Sequence, residues 1–107
     1  MIVSTSEHLP GKKIIRTLGL ATGNTIRCTH LGADIKAMIQ NLVGGEIDEY
    51  TGMIAQAREQ AIDRMKDRAR EMGANAIIGM RFSTTEVMHG AAEILAYGTA
   101  VWVEEDG

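Results

Sequence analysis

The sequence predicts an α/β (α+β) fold: a twisted, mostly antiparallel sheet with one long and one short helix on a single face. Three observations predict it. An apolar stripe of helical period runs from about Asp48 to Met72. Gly73-Ala74-Asn75 stops it, and the strand-like run Ala76-Ile77-Ile78-Gly79-Met80 follows at once. The closing segment then alternates, with apolar residues on both of its faces.

Taken in order, Ile2 to Thr5 reads as a short strand and Pro10-Gly11 as a turn. Lys13 to Thr22 reads as a strand with Ile15, Thr17, Gly19 and Ala21 on one face and Ile14, Arg16, Leu18 and Leu20 on the other. Gly23-Asn24 marks a turn or a bulge. From Gly32 to Val43 the spacing of Ile35, Met38, Ile39 and Leu42 is helical, and Gly44-Gly45 ends that short helix.

The long helix carries Tyr50, Ile54, Ala57, Ala61, Met65, Ala69 and Met72 on one stripe, widened by Met53 and Ile62. At 1.5 Å per residue it is about 37 Å long, while a domain of this size has a radius of gyration near 13 Å. It therefore lies across a sheet. Gly73 caps it. Ala76 to Val87 and Ala92 to Glu104 are strands joined at a His89-Gly90 turn.

On the last strand, Leu95, Tyr97, Val101 and Val103 share one face, and Ile94, Ala96, Ala100 and Trp102 the other. Two helices cover one face of the sheet, and no further element remains for the second. A second copy of the chain is the simplest cover, favoured over a half-buried strand with Trp102 fraying into solvent. The expected oligomer interface is Ile94, Ala96, Gly98 and Trp102, with Gly79 and Gly98 permitting close backbone approach.

Composition sets the bounds. The 107 residues make one domain, 1–107. Apolar residues are 45% but aromatics only 4%, so alanine and the seven methionines must fill much of the core. A net charge of −3 argues against nucleic acid and anionic membranes as partners. The single cysteine, Cys28, fits a reducing, cytoplasmic setting. The N-terminus lacks the basic and apolar regions of a signal peptide, and no apolar run approaches the roughly 18 residues of a membrane span.

Leu42-Val43-Gly44-Gly45, Tyr50, Ala57-Arg58-Glu59 and Gly73-Ala74-Asn75-Ala76-Ile77-Ile78-Gly79 together resemble the YbjQ-like family, small bacterial and archaeal proteins described as "putative heavy-metal-binding". The resemblance spans nearly the whole chain, including Gly19 and Tyr97-Gly98-Thr99-Ala100-Val101. It implies a dodecin-like subunit assembled as a ring, a homopentamer, with no settled reaction. The chain departs from the family after Gly79. Many members carry acids there in a pattern such as Asp-x-Asp-Tyr-Glu; here Arg81-Phe82-Ser83-Thr84-Thr85 precedes the first carboxylate, Glu86. Arg-Ser-Gly often follows the glycine pair, but here it is Glu46-Ile47-Asp48.

Cys28 and His30 are the closest pair of soft metal ligands. Two apart on a strand, they point to one side and suit zinc or copper. Further ligands must come from His8, His89 or a neighbouring copy. The plainer reading is a small buried thiol and a surface histidine. Glu59 and Asp63 are conceivable ligands for a hard cation, but a solvated helix face explains them more simply. The acids interleaved with Arg64, Lys66, Arg68 and Arg70 spoil a nucleic-acid patch. Gly44-Gly45 lacks the lysine and hydroxyl of a phosphate loop. No catalytic set of nucleophile, base and orienting group is evident.

The sequence thus points to a non-enzymatic binding or assembly protein, with metal binding suggested by the resemblance. A small-molecule or flavin-type module using Tyr97 and Trp102 is the alternative, and an enzyme with a site between subunits a second.

Overall fold

The computed structural model describes residues 1–28, 45–88 and 91–106, with the backbone alone for Cys28 and residues 45–51. The expected short helix over Gly32 to Val43, His30 and the His89-Gly90 turn lie outside the described residues. The described elements are β1 (Ile2–Val3), β2 (Lys12–Cys28), helix α1 (Gly45–Glu71), β3 (Ala76–Met88) and β4 (Ala91–Glu105). They form a sheet of order β1-β3-β4-β2. Only the β1–β3 pair is parallel. β2 runs antiparallel to β4 from Lys12 opposite Glu105 to Cys28 opposite Ala91, and β3 is antiparallel to β4 on the other side.

Strand β2 is longer than its sequence suggests. Gly23-Asn24 is not a turn but lies within the strand, paired with Ala96 and Leu95. The irregularities fall earlier, where the register shifts between Ile14 and Arg16 and between Thr17 and Gly19. Each shift moves the following residues to the opposite face. Ile15 therefore faces solvent, and Thr17 stands opposite Val101 rather than sharing a face with Gly19 and Ala21.

Helix α1 packs on one face of the sheet, chiefly over β2 and β4. Ala57, Ala61, Met65 and Ala69, four residues apart, are fully buried against Ala21, Ile94, Ala96 and Ala100. Small residues let the helix backbone come very close to the strand. A Cβ on Gly23 would stand 2.3 Å from the Ala61 carbonyl oxygen and 2.3 Å from the Met65 nitrogen. That separation excludes every residue but glycine.

The helix ends as its glycine implies. Gly73 has φ +89°, and its N–H donates to the Arg70 carbonyl while that of Ala74 donates to the Ala69 carbonyl, both at 3.0 Å. This is a Schellman closure, with Ala69 and Ala74 in one apolar cluster. Asn75 then acts as an extra rung of the sheet. Its Nδ2 donates to the Val103 carbonyl and its Oδ1 accepts from the Val103 N–H, both at 2.8 Å.

The second face of the sheet is partly covered from within the chain, contrary to the expectation that no element remained to do so. The N-terminal segment follows β3: the Ser4 N–H donates to the Ile77 carbonyl, and the Met80 N–H donates back to the Ser4 carbonyl. It then carries Leu9 onto Ala76, Val101 and Val103, with Ile14 and Ile78 at the margin. Among the described residues the cover stops there. Beyond it, Leu20 and Ile26 are 66% and 55% exposed. They share the face of Leu95 and Tyr97, because Leu20 stands opposite Thr99 and Ile26 opposite Glu93. The radius of gyration, 17.0 Å, exceeds the ~13 Å of a compact domain of this size, and the long axis measures 55 Å.

Candidate functional site

Of the candidate metal pair, Cys28 sits at one end of this long slab, and His30 lies outside the described residues. Cys28 is the last residue of β2, opposite Ala91, whose other neighbour is Met88 of β3. The strand ends thus bring Cys28, Met88 and the start of β4 to one end of the sheet, with Cys28 and Met88 on either side of β4. His8 lies at the other end, in a shallow pocket with Leu9, Lys12, Lys13, Ile14 and Asp106. Sixteen strand residues separate Lys12 from Cys28, roughly 50 Å at 3.3 Å per residue. His8 of the same chain therefore cannot complete a site with Cys28. Among the described residues no group of three or more His, Cys, Asp or Glu side chains could hold a metal ion.

The expected interface residues fall in two environments. Ile94 and Ala96 are 2% and 0% exposed under α1, inside the chain's own core. Gly98 is also buried; a Cβ there would approach Ile77 Cγ2 to 2.6 Å. These three are interior to one copy because the helix took their face. Trp102 is half-buried, and its indole N–H donates to Glu104 Oε1 at 3.4 Å. The uncovered residues of β4 are those of the opposite parity, Leu95, Tyr97 and Thr99, all half-buried.

A polar seam joins the helix to β2 near Cys28. Thr25, only 2% exposed, donates from Oγ1 to Gln60 Oε1 at 3.5 Å. Arg27 Nη2 donates to the same oxygen at 3.1 Å. Arg64 Nη1 donates to the Asn24 carbonyl at 2.7 Å, and Asn24 Nδ2 to Glu93 Oε2 at 3.2 Å. Gln60 and Asn24 carry no sequence signal of this role; their partners come from 35 and 69 residues away. The seam satisfies the buried Thr25 hydroxyl, and its other bonds are partly or wholly exposed.

The remaining candidates behave as solvated surface. Glu59 and Asp63 are exposed on α1. Asp67 pairs with Arg70 at 3.0 Å and Arg68 meets Glu71 at 3.7 Å, both exposed, and such pairs contribute little. Glu86 is the one carboxylate on β3, and the strand is exposed at every described residue from Arg81 to Met88. No described helix is long and apolar enough to cross a membrane.

Known proteins place the chain firmly. Over 104 residues it is 57% identical to a UPF0145 protein of Dehalococcoides mccartyi, covering 97% of this chain and 100% of that protein. It is 54% identical over 101 residues to a UPF0145 protein of Methanosarcina acetivorans, covering 94% of this chain and 95% of the other. The fold recurs in a crystal structure of a DUF74-family protein of unknown function from Pediococcus pentosaceus, with a TM-score of 0.66 and 19% identity over 97% of this chain and 98% of that one. A family model described as "putative heavy-metal-binding" matches residues 1–104. The chain belongs to this YbjQ-type family of uncharacterised proteins.

Proposed function

We propose that this protein is a homo-oligomeric binding and assembly module, a ring of five copies, whose bound species is a soft metal ion. The observation that carries the assembly reading is the unequal cover of the sheet. Leu9 closes one end of the second face, while Leu20, Ile26, Leu95 and Tyr97 stay partly or largely open at the other. Exposed apolar area of this kind on a thin sheet favours association. The metal reading rests on the family description and on Cys28 at the open end. With His30 it supplies two ligands suited to zinc or copper, and a second copy would supply the others.

A flat organic ligand is the alternative. It is favoured by Tyr97, half-exposed on the open face between Thr22 and Arg81 on the adjoining strands.

Native mass spectrometry of untagged protein, prepared without chelators, tests these readings. A five-fold mass carrying zinc or copper, lost in the Cys28→Ser, His30→Ala double variant, is the expected result. Metal retained by that variant moves the site elsewhere. A discrete organic mass favours the ligand reading, and a monomer overturns assembly.

A further inference from the structure

We propose that the outer edge of β3, from Arg81 to Met88, pairs in parallel with the outer edge of β2 of a second copy. The proposal rests on the assembly reading and names the surface that performs it.

Both edges lack a strand partner among the described residues. The N-terminal segment accompanies β3 only as far as Met80, and β4 occupies the inner side of both strands. Because β2 and β3 are each antiparallel to β4, they run in the same direction. They also stand level. Ala96 faces Gly23 on one side and Phe82 on the other, Ala92 faces Arg27 and Glu86, and Ala91 faces Cys28 and Met88. Unlike edges joined head to tail close into a ring only when successive copies do not climb. Level edges meet that condition.

The side chains at these levels are complementary. From Thr22 to Cys28, the levels of the free stretch, β2 carries Arg27 and no carboxylate, and the free stretch of β3 carries Glu86 beside Thr85, with Arg81 at its other end. Arg27 and Glu86 lie on the helix side of the sheet at the level of Ala92. Phe82, 42% exposed in its own chain, stands level with Gly23. Beside Gly23, between β2 and the Arg64 and Arg68 side chains of α1, runs an open groove of about 310 Å³. The pairing brings the ring of an incoming Phe82 to this groove, where it meets the guanidinium groups beside the Asp67 and Glu71 carboxylates. The Asn24 carbonyl, already bonded to Arg64, keeps a second lone pair for a ladder bond.

Cross-linking tests the pairing directly. In a Cys28→Ser background, Arg27→Cys and Glu86→Cys are combined. Within one chain the two positions lie on either side of β4, about 10 Å apart, beyond the ~7 Å reach of a disulfide. A bond therefore forms only between copies. Mild oxidation should give a ladder of covalent multimers on a non-reducing gel, and each single-cysteine variant should run as a monomer. Light scattering separates the two ways to fail. An oligomer without a ladder overturns the edge pairing and leaves assembly intact, and a monomer overturns both. Dimers from Glu86→Cys alone would show like edges paired and overturn the proposal. Independently, Arg27→Glu or Glu86→Arg should raise the concentration for half-assembly roughly five-fold, and the double reversal should restore it. Failure of the double reversal to restore it, with far-UV dichroism unchanged, also overturns the pairing.

Discussion

Where Ala76 pairs with Val101, the sheet is sandwiched: α1 lies above it, and Leu9 with the N-terminal segment lies below. Where Met88 and Cys28 flank Ala91, no described element lies below the sheet, and β3 is exposed from Arg81 to Met88. The strand residues alone do not account for this difference, because Leu95 and Tyr97 at the open end are as apolar as Val101 and Val103 at the closed end. What differs is the chain available to cover them. Ser4 to Gly11 is tied to β3 at Ile77, Gly79 and Met80 and reaches no further. The closed end is a finished core, and the open end is a surface that no described residue completes.

The largest effect should come from the point where helix and sheet touch most closely. Gly23→Ala drives a methyl group into the backbone of α1 at Ala61 and Met65. Backbone cannot move aside as a side-chain end can, so roughly 3 kcal/mol or more should be lost. Urea unfolding followed by far-UV dichroism measures it. A loss below about 1 kcal/mol would mean that α1 sits higher on the sheet than the structure places it.

The next pair of changes compares the two ends with one chemistry. Leu9→Ala opens the closed end and should cost about 2–3 kcal/mol, because Leu9 is only 8% exposed. Leu20→Ala at the open end should cost under about 0.5 kcal/mol in dilute protein. If a second copy covers Leu20, its cost should grow with protein concentration while that of Leu9→Ala does not. Equal costs at every concentration would erase the distinction between the ends.

Asn75→Ala follows. It removes both side-chain bonds to Val103 and leaves that residue's N–H and carbonyl short of partners. A cost of about 2 kcal/mol is expected, read as a lowered urea midpoint with an unchanged slope. No loss would mean that water replaces the rung.

These sites also show what could be read from the sequence. The helical stripe, its glycine stop and the alternation of β4 were legible because each is a local period that burial enforces. Gly23 was not, because a glycine in a strand has the same local signature whether it turns the chain or admits a helix backbone. The shifts around Ile15 and Leu18 leave no trace in composition, so face assignments drifted after them. Leu9 was invisible as a core residue, since it stands alone between His8 and Pro10 without periodicity. For the same reason the open face was assigned to Ile94 and Ala96; which parity of β4 the helix takes is a tertiary choice. Of the candidate site, Cys28 could be placed at a strand end, but the separation from His8 follows only from the unbroken length of β2.

The smallest expected effect tests whether anything rests on the helix at the open end. Gly52 lies in the first half of α1, with nothing within 4 Å of an added Cβ. Since Gln60 already reaches Thr25 and Arg27, the residues before it extend toward and past the end of β2. Glycine in an exposed helix interior costs about 0.5–1 kcal/mol relative to alanine. Gly52→Ala should therefore stabilise the single chain by that amount, seen as a raised urea midpoint in dilute protein. A loss of stability that appears only at concentrations where copies associate would place this turn of the helix against a second molecule. It would then belong, with Leu20 and Ile26, to a surface shared between copies.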